Sequence, residues 1–215
     1  MTTITPWNCL IFLLCISSSW FASCFKNNPS FIIPSIDNKL KKRNRTCMSF
    51  APQELEKVLR KEYGSFFSPM FKQYYSSDVE FIDPLNTLVG IDKYQQNVDM
   101  LAGRTTMGNV LFKDATISLH NVEFLSQNKL QTRWTLQVTV KSLPWQPRPR
   151  FTGISVYTLN ENGVITKQED YWDSINLTNG KYNKVSFVEA LGDFLGQIQR
   201  ESGAEMSAPE LPVTT

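Results

Sequence analysis

Two acidic patches are the parts of this chain best suited to chemistry. Asp83 stands immediately before Pro84, and Asp170 and Asp173 bracket the Tyr171-Trp172 pair. Val79, Phe81 and Asp83 alternate with Glu80 and Ile82, so on an extended strand the carboxylate shares a face with two apolar side chains. Asp170 shares a face with Trp172 in the same way. If Asp83 and Asp170 meet in one apolar cavity, desolvation raises a carboxylate's pKa and suits it to proton abstraction. The plainer reading is preferred, because Asp before Pro is common turn chemistry: Asp83 caps the strand end and Asp173 bonds backbone.

Trp134, Tyr157 and Trp172 fall on strands and pair large apolar area with a polar tip, which suits the wall of a pocket for a flat or lipidic ligand. Taken singly, each is explained by core packing; as a group, with Phe81 and Tyr94, they are expected to share a wall. Lys141, Arg148 and Arg150 flank Trp145 in a proline-rich loop and are placed at the rim, where they would grip a phosphate or carboxylate. The duller alternative is a solvated loop with Trp145 covering the end of the barrel.

Much chemistry is excluded. The chain has one histidine, His120, and its four cysteines all lie within the first 47 residues, so no metal and no cofactor is expected. Gly153-Ile154-Ser155-Val156-Tyr157 lacks the second glycine of a nucleophile elbow, and no glycine-rich phosphate loop is present. His120 reads as a satisfied strand histidine. Of 22 Lys plus Arg and 20 Asp plus Glu, residues 1–47 hold six and one, leaving 16 against 19 in the other 168 residues. The basic balance belongs to the N-terminus, which removes any bulk-charge support for a nucleic-acid partner.

The elements that must position these side chains follow from period. Leu55, Val58, Leu59, Tyr63 and Phe66 recur at helical spacing over Pro52 to Phe67. Ser68-Pro69 then offers an N-cap for a short second helix through Tyr75, and a strand begins at Asp78. Gly90 leads into a helix whose Ile91, Tyr94, Val98 and Leu101 share a face. From Asn109 the pattern is almost wholly strand, clearest where Leu130, Thr132, Trp134, Leu136, Val138 and Val140 alternate with polar residues. Phe151 to Leu159 and Val164 to Ser174 form a hairpin over Asn160-Glu161-Asn162-Gly163. Ser186-Phe187-Val188-Glu189 is a capping box that opens a last amphipathic helix, expected to dock on its own domain. Helices first and antiparallel strands afterwards predict an α+β domain, helices packed on one face of a curved, mostly antiparallel sheet.

The N-terminus reads as an address. Cys9 to Ile16 has the length of a signal-peptide core, and small residues at Ala22 and Cys24 suit cleavage before Phe25. Phe25 to Arg45 is basic and nearly free of acid, as transit peptides are. Ala22-Ser23-Cys24-Phe25 resembles the cleavage motif of bipartite plastid presequences in diatoms and related algae, with Cys24 replacing the usual alanine. The resemblance implies delivery to a secondary plastid with Phe25 as the entry determinant. The expected organisation is signal peptide 1–24, transit-like segment 25–47, domain 48–200 and a disordered tail 201–215, with no transmembrane segment in the mature chain. The alternatives are a membrane anchor or a secreted protein, in which Asn44 and Asn176 become glycosylation acceptors. The lack of cysteines beyond Cys47 weighs against secretion.

Val79 to Pro84, Gly90-Ile91-Asp92-Lys93-Tyr94, Leu143-Pro144-Trp145, Gly153-Ile154-Ser155 and Asp170-Tyr171-Trp172-Asp173 together resemble the plant, algal and cyanobacterial family of unknown function DUF2358. The resemblance spans roughly Pro52 to Asn176. That family is similar to the NTF2-like (SnoaL-like) superfamily, which implies a cone of sheet and helices around a pocket. Gln168 stands where related sequences often carry His, which weakens a proton-transfer role there. The leading expectation is a non-catalytic plastid module that binds a hydrophobic small molecule such as a pigment, tetrapyrrole or lipid derivative. The alternatives are a small isomerase or cyclase using Asp83 or Asp170, and an interaction protein working as a homodimer.

Overall fold

A computed structural model describes residues 50–199 of the chain. The expected signal, transit and tail segments lie outside the described residues.

The first helix, α1 (Pro52–Gly64), starts with proline in its first turn and buries Leu55, Leu59, Glu62 and Tyr63 on one stripe. It ends short of Phe67 because Phe66 and Phe67 both take left-handed backbone, with φ of 51° and 55°. The second helix expected from Ser68-Pro69 does not form. The Phe71 N–H goes to the Glu62 side chain rather than to a helical carbonyl. Only a 3₁₀ turn at Lys72–Tyr74 remains, and strand β1 (Tyr75–Ile82) starts three residues earlier than its alternation suggests.

After β1 come β2 (Thr87–Val89), α2 (Ile91–Leu101) and the six-residue α3 (Thr106–Leu111), where strand was expected from Asn109. The Thr105 hydroxyl accepts the Gly108 N–H and caps α3, which explains the short helical turn. The remaining elements are β3 (Phe112–Ser126), β4 (Lys129–Val140), β5 (Arg150–Leu159), β6 (Ile165–Trp172), α4 (Asp173–Asn176), β7 (Leu177–Thr178), β8 (Lys181–Tyr182) and α5 (Phe187–Ile198). Both halves of the Ser186/Glu189 capping box are present at the start of α5.

Six strands form one sheet in the order β2-β1-β6-β5-β4-β3, and β7 pairs separately with β8. Every neighbouring pair in the large sheet is antiparallel except β1 with β6. Register shifts interrupt β1–β6, β3–β4 and β5–β6, and such bulges bend a strand and increase its twist. α1 and α2 lie against the inner face. Their Leu59, Tyr63 and Tyr94 belong to one core with Phe81, Leu130, Trp134, Tyr157 and Ile165 from the strands. α5 closes one end: Phe194 stacks on Phe151 with ring centroids 6.1 Å apart, and the Trp145 indole N–H donates to the Ile198 carbonyl at 2.8 Å. The fold is α+β, with helices on one face of a curved, mostly antiparallel sheet.

Candidate functional site

Pairing across the sheet sorts the inward-facing side chains into rows. Leu130 of β4 pairs with Tyr157 of β5, Tyr157 with Gln168 of β6, and Gln168 with Phe81 of β1. The next row is Thr132, Ser155 and Asp170, and the one after is Trp134, Gly153 and Trp172. Because β1 and β6 run parallel with Ile82 opposite Glu169, the chain brings Asp83 level with Asp170 one step on.

The second row is polar, and it sits in an aromatic shell. The Tyr63 hydroxyl lies 2.9 Å from Thr132 Oγ1, 3.0 Å from the Tyr157 hydroxyl and 3.3 Å from Ser155 Oγ. Trp134 Nε1 donates to Ser155 Oγ at 2.8 Å. Gln168 Nε2 donates to Asp170 Oδ1 at 2.9 Å, while Gln168 Oε1 accepts from the Tyr94 hydroxyl at 2.6 Å. Each buried polar atom in this network has a partner, which is the condition for holding such groups in a core. Gly153 lets the Trp134 ring in: a Cβ there would stand 2.1 Å from the Tyr171 carbonyl oxygen and 3.2 Å from Trp134 Cζ2.

Asp170 is the end of this network that meets open space. A cleft of about 350 Å³ lies at the carboxyl ends of β1 and β6, with Asp83 and Asp170 among its lining and Ile82, Pro84, Leu85, Val185 and Phe187 as apolar wall. Asp83 Oδ1 accepts the backbone N–H groups of Leu85 and Asn86, each at 2.7 Å. Burial pushes the Asp83 carboxyl up to about 6 against the pull of those hydrogen bonds. Burial pushes Asp170 up to about 7, and the negative charge of Asp83 adds to the rise while Ser155 and Gln168 oppose it. Glu169, also at the cleft, differs. Burial works to raise it, but Lys184 at 3.0 Å and Lys167 at 3.1 Å outweigh that and bring it below the ordinary carboxylate range.

The residues expected to line one cavity therefore divide. Asp83 and Asp170 face the cleft together. Tyr94, Trp134 and Tyr157, at 2%, 3% and 0% exposure, fill the cone behind it instead of walling an opening. Phe81 stacks on Tyr94 with centroids 4.6 Å apart, and Trp172 packs on Phe151 at the same distance. Aromatic rings on facing elements met each other, which alternation along single strands does not report. None of the expected rim residues lines the cleft. Lys141 Nζ donates to Asn109, Trp145 is tied to α5, Arg148 is exposed, and the Arg150 backbone N–H donates to Gln197.

Asp83 does bond the turn that follows it, as the plainer reading held. Asp173 does not bond backbone. It pairs with Arg133, whose Nη1 donates to Oδ1 at 2.7 Å, and the Tyr182 hydroxyl donates to the same oxygen at 2.7 Å. His120 Nε2 lies 2.8 Å from Thr135 Oγ1, and its pKa is lowered by burial and by the charges of Arg133 and Arg150. Asn176 is unavailable for glycosylation, since it is 2% exposed with its amide bonded to the Trp172 N–H and the Asn183 carbonyl; Asn44 lies outside the described residues. Among the described residues no group of three His, Cys, Asp or Glu side chains is placed to hold a metal ion. No helix there is long and apolar enough to cross a membrane.

Several members of the network were not singled out from sequence. Thr132 stands on the apolar face of β4, and Ser155 alternates with Gly153 and Tyr157, so a hydroxyl at each inward position was the available signal. Glu62 stands on the Leu55–Leu59 stripe of α1 at helical spacing and is wholly buried.

An α+β cone with a filled polar core and an acidic mouth is the class that this fold and site define. The chain matches, over residues 53–168, the family described as an uncharacterized conserved protein (DUF2358), and it belongs to that family. No curated protein matches it. Solved structures share the architecture. An NTF2-like protein of unknown function from Cytophaga hutchinsonii is 15% identical, with 56% of this chain and 88% of that one covered and a TM-score of 0.40. A second NTF2-like protein, from Exiguobacterium sp. 255-15, is 17% identical over 54% and 98%, with a TM-score of 0.41. The epoxide hydrolase/cyclase-like enzyme SalBIII, associated with pyran ring formation in salinomycin, is 12% identical over 56% and 91%, with a TM-score of 0.44. These are likenesses of fold.

Proposed function

We propose that this protein is a plastid-directed, non-catalytic module that takes a compact, mainly apolar small molecule in the Asp83–Asp170 cleft. The observation that carries the reading is the cleft's make-up: Asp83 and Asp170 beside Ile82, Pro84, Leu85, Val185 and Phe187, with the third carboxylate, Glu169, already neutralised by Lys184. Apolar walls with a few fixed polar groups are how small-molecule sites combine affinity with orientation. The ligand carries at least one hydrogen-bond donor for Asp170. A volume near the low end of ligand pockets suits a lipid derivative or pigment fragment better than a whole tetrapyrrole. The plastid destination rests on the Ala22-Ser23-Cys24-Phe25 motif and the basic segment after it.

One observation favours a second reading, a small isomerase or cyclase. Asp170 titrates near neutrality in a cleft, and Gln168 fixes its orientation, which is what a general base needs. Native mass spectrometry of the full-length mature protein purified from its own cells tests the first reading, with a retained organic molecule as the expected result. Phe187→Ala should then reduce retention strongly, and Asp170→Asn, which keeps an oxygen able to accept the ligand's donor, should reduce it less. If Asp170→Asn instead abolishes conversion of the retained molecule while leaving its binding, the second reading stands. A ligand-free protein with both variants silent refutes the cleft.

A further inference from the structure

The outer face of the sheet, turned away from the cone, carries hydroxyls and basic groups. On β4, Arg133 and Thr135 alternate with the inward Thr132 and Trp134, and on β5, Arg150 and Thr152 alternate with the inward Phe151 and Gly153. Thr135 pairs with Thr152. Because the strands are antiparallel, Arg133 stands one step along β4 on one side of that row and Arg150 one step along β5 on the other, opposite Gln137. On β3 the register slips between Leu119 and Asn121, and the extra residue of that bulge is His120.

The short side chains of the row are joined to the histidine. His120 Nε2 lies 2.8 Å from Thr135 Oγ1, which lies 3.1 Å from Thr152 Oγ1. The two arginines differ. Arg133 is taken up by Asp173 and Tyr182. The Arg150 backbone N–H donates to Gln197, but its side-chain Nε is buried and has no acceptor among the described residues. A guanidinium N–H always carries its proton, so burying it without an acceptor is costly. Three acids of this face are already engaged: Asp173 by Arg133, Glu169 by Lys167 and Lys184, and Glu123 by Gln131 at 3.0 Å.

We propose that Arg150, Thr135, Thr152 and His120 form a site on the outer face for a tetrahedral oxyanion, a phosphate group either free or at the end of a small organic ester. Arg150 supplies the charged donor and Thr152 a neutral one. His120 acts through Thr135: when its ring is protonated, Nε2 donates to Thr135 Oγ1 and leaves the hydroxyl hydrogen of Thr135 for the anion. Arg133 stays with Asp173 and contributes its field. The site is separate from the acidic cleft, whose lining includes none of these residues.

The groups facing His120 are Thr135 and Arg133 from β4, with Asp173 behind Arg133, and Arg150 from β5. Burial lowers the pKa of His120 and both arginines lower it further. An anion beside it works the other way. Anion binding therefore raises the His120 midpoint, and by linkage the anion binds more tightly at low pH.

His120 is the only histidine in the chain, so its ring protons report the site alone. In NMR titrations of the mature chain, sulfate, which stays doubly charged near neutral pH, should shift them saturably. It should raise the His120 midpoint by at least about half a pH unit and bind at least about threefold more tightly at pH 5.5 than at pH 8. Arg150→Gln should weaken sulfate at least about tenfold, and Arg150→Lys, which keeps the charge without the Nε–H, should recover only part of that. Inorganic phosphate and glycerol 3-phosphate then separate the sources: tighter binding of the ester assigns the site to an organic phosphate, and equal binding to the free anion. An equal shift with chloride at matched ionic strength would mean screening alone and overturn the site. So would sulfate affinity unchanged in a folded Arg150→Gln; the sulfate and chloride comparison on the wild-type protein decides even if that variant fails to fold.

Discussion

Asp83 and Asp170 meet at one cleft because β1 and β6 run parallel, which places the end of one strand beside the end of the other. Each carboxyl is raised by burial, and the charge on Asp83 raises Asp170 further. Ionised Asp83 therefore helps to hold Asp170 protonated. Removing the charge of the first should make the second easier to ionise. In Asp83→Asn the titration midpoint of Asp170, followed by carboxyl carbon NMR, should drop; an unchanged midpoint would mean that the two groups do not sense each other.

The same shifts set a pH dependence of stability. Glu62, Asp83 and Asp170 all titrate higher in the fold than in the unfolded chain, so their contribution is fully present below pH 4 and is lost as pH rises through about 6 to 7. Thermal unfolding should show a lower Tm at pH 8 than at pH 5, and Asp170→Asn should shrink the difference. A Tm that rises over that window would contradict the buried acids.

The Arg133–Asp173 pair is mostly buried, with side chains 14% and 9% exposed, and Tyr182 bonds both partners. Arg133→Met leaves Asp173 without its counter-charge and should cost ~3 kcal/mol in urea unfolding. A loss under ~1 kcal/mol would place the pair among screened surface ion pairs.

Two glycines should respond in opposite senses. Gly153→Ala drives a methyl into the Tyr171 carbonyl and should prevent folding or cost more than ~3 kcal/mol. Gly192 of α5 has open space around its Cβ position, so Gly192→Ala should stabilise by ~1 kcal/mol through helix propensity. Urea midpoints of the two variants decide it.

For the address, residues 1–47 fused to a fluorescent protein should enter the plastid of a diatom-like cell, and Phe25→Ala should divert the fusion before entry. Secretion of the unaltered fusion would remove the plastid assignment.

Local signals carried a large part of this fold. Alternation along Leu130 to Val140 determined which side of β4 meets the helices, helical spacing marked α1 and α2, and Ser186 with Glu189 marked the start of α5. These depend on backbone geometry within a few residues, which a sequence states directly. Tertiary structure decided the rest. The parallel β1–β6 pairing that sets Asp83 beside Asp170 joins strands with most of the domain between them. Whether Trp134, Tyr94 and Tyr157 would wall a cavity or fill it depended on how closely α1 and α2 approach the sheet. Glu62 could be recognised as an interior carboxylate only once Phe71 and Tyr75 had folded back onto it, because burial and hydrogen bonding to distant partners are properties of packing.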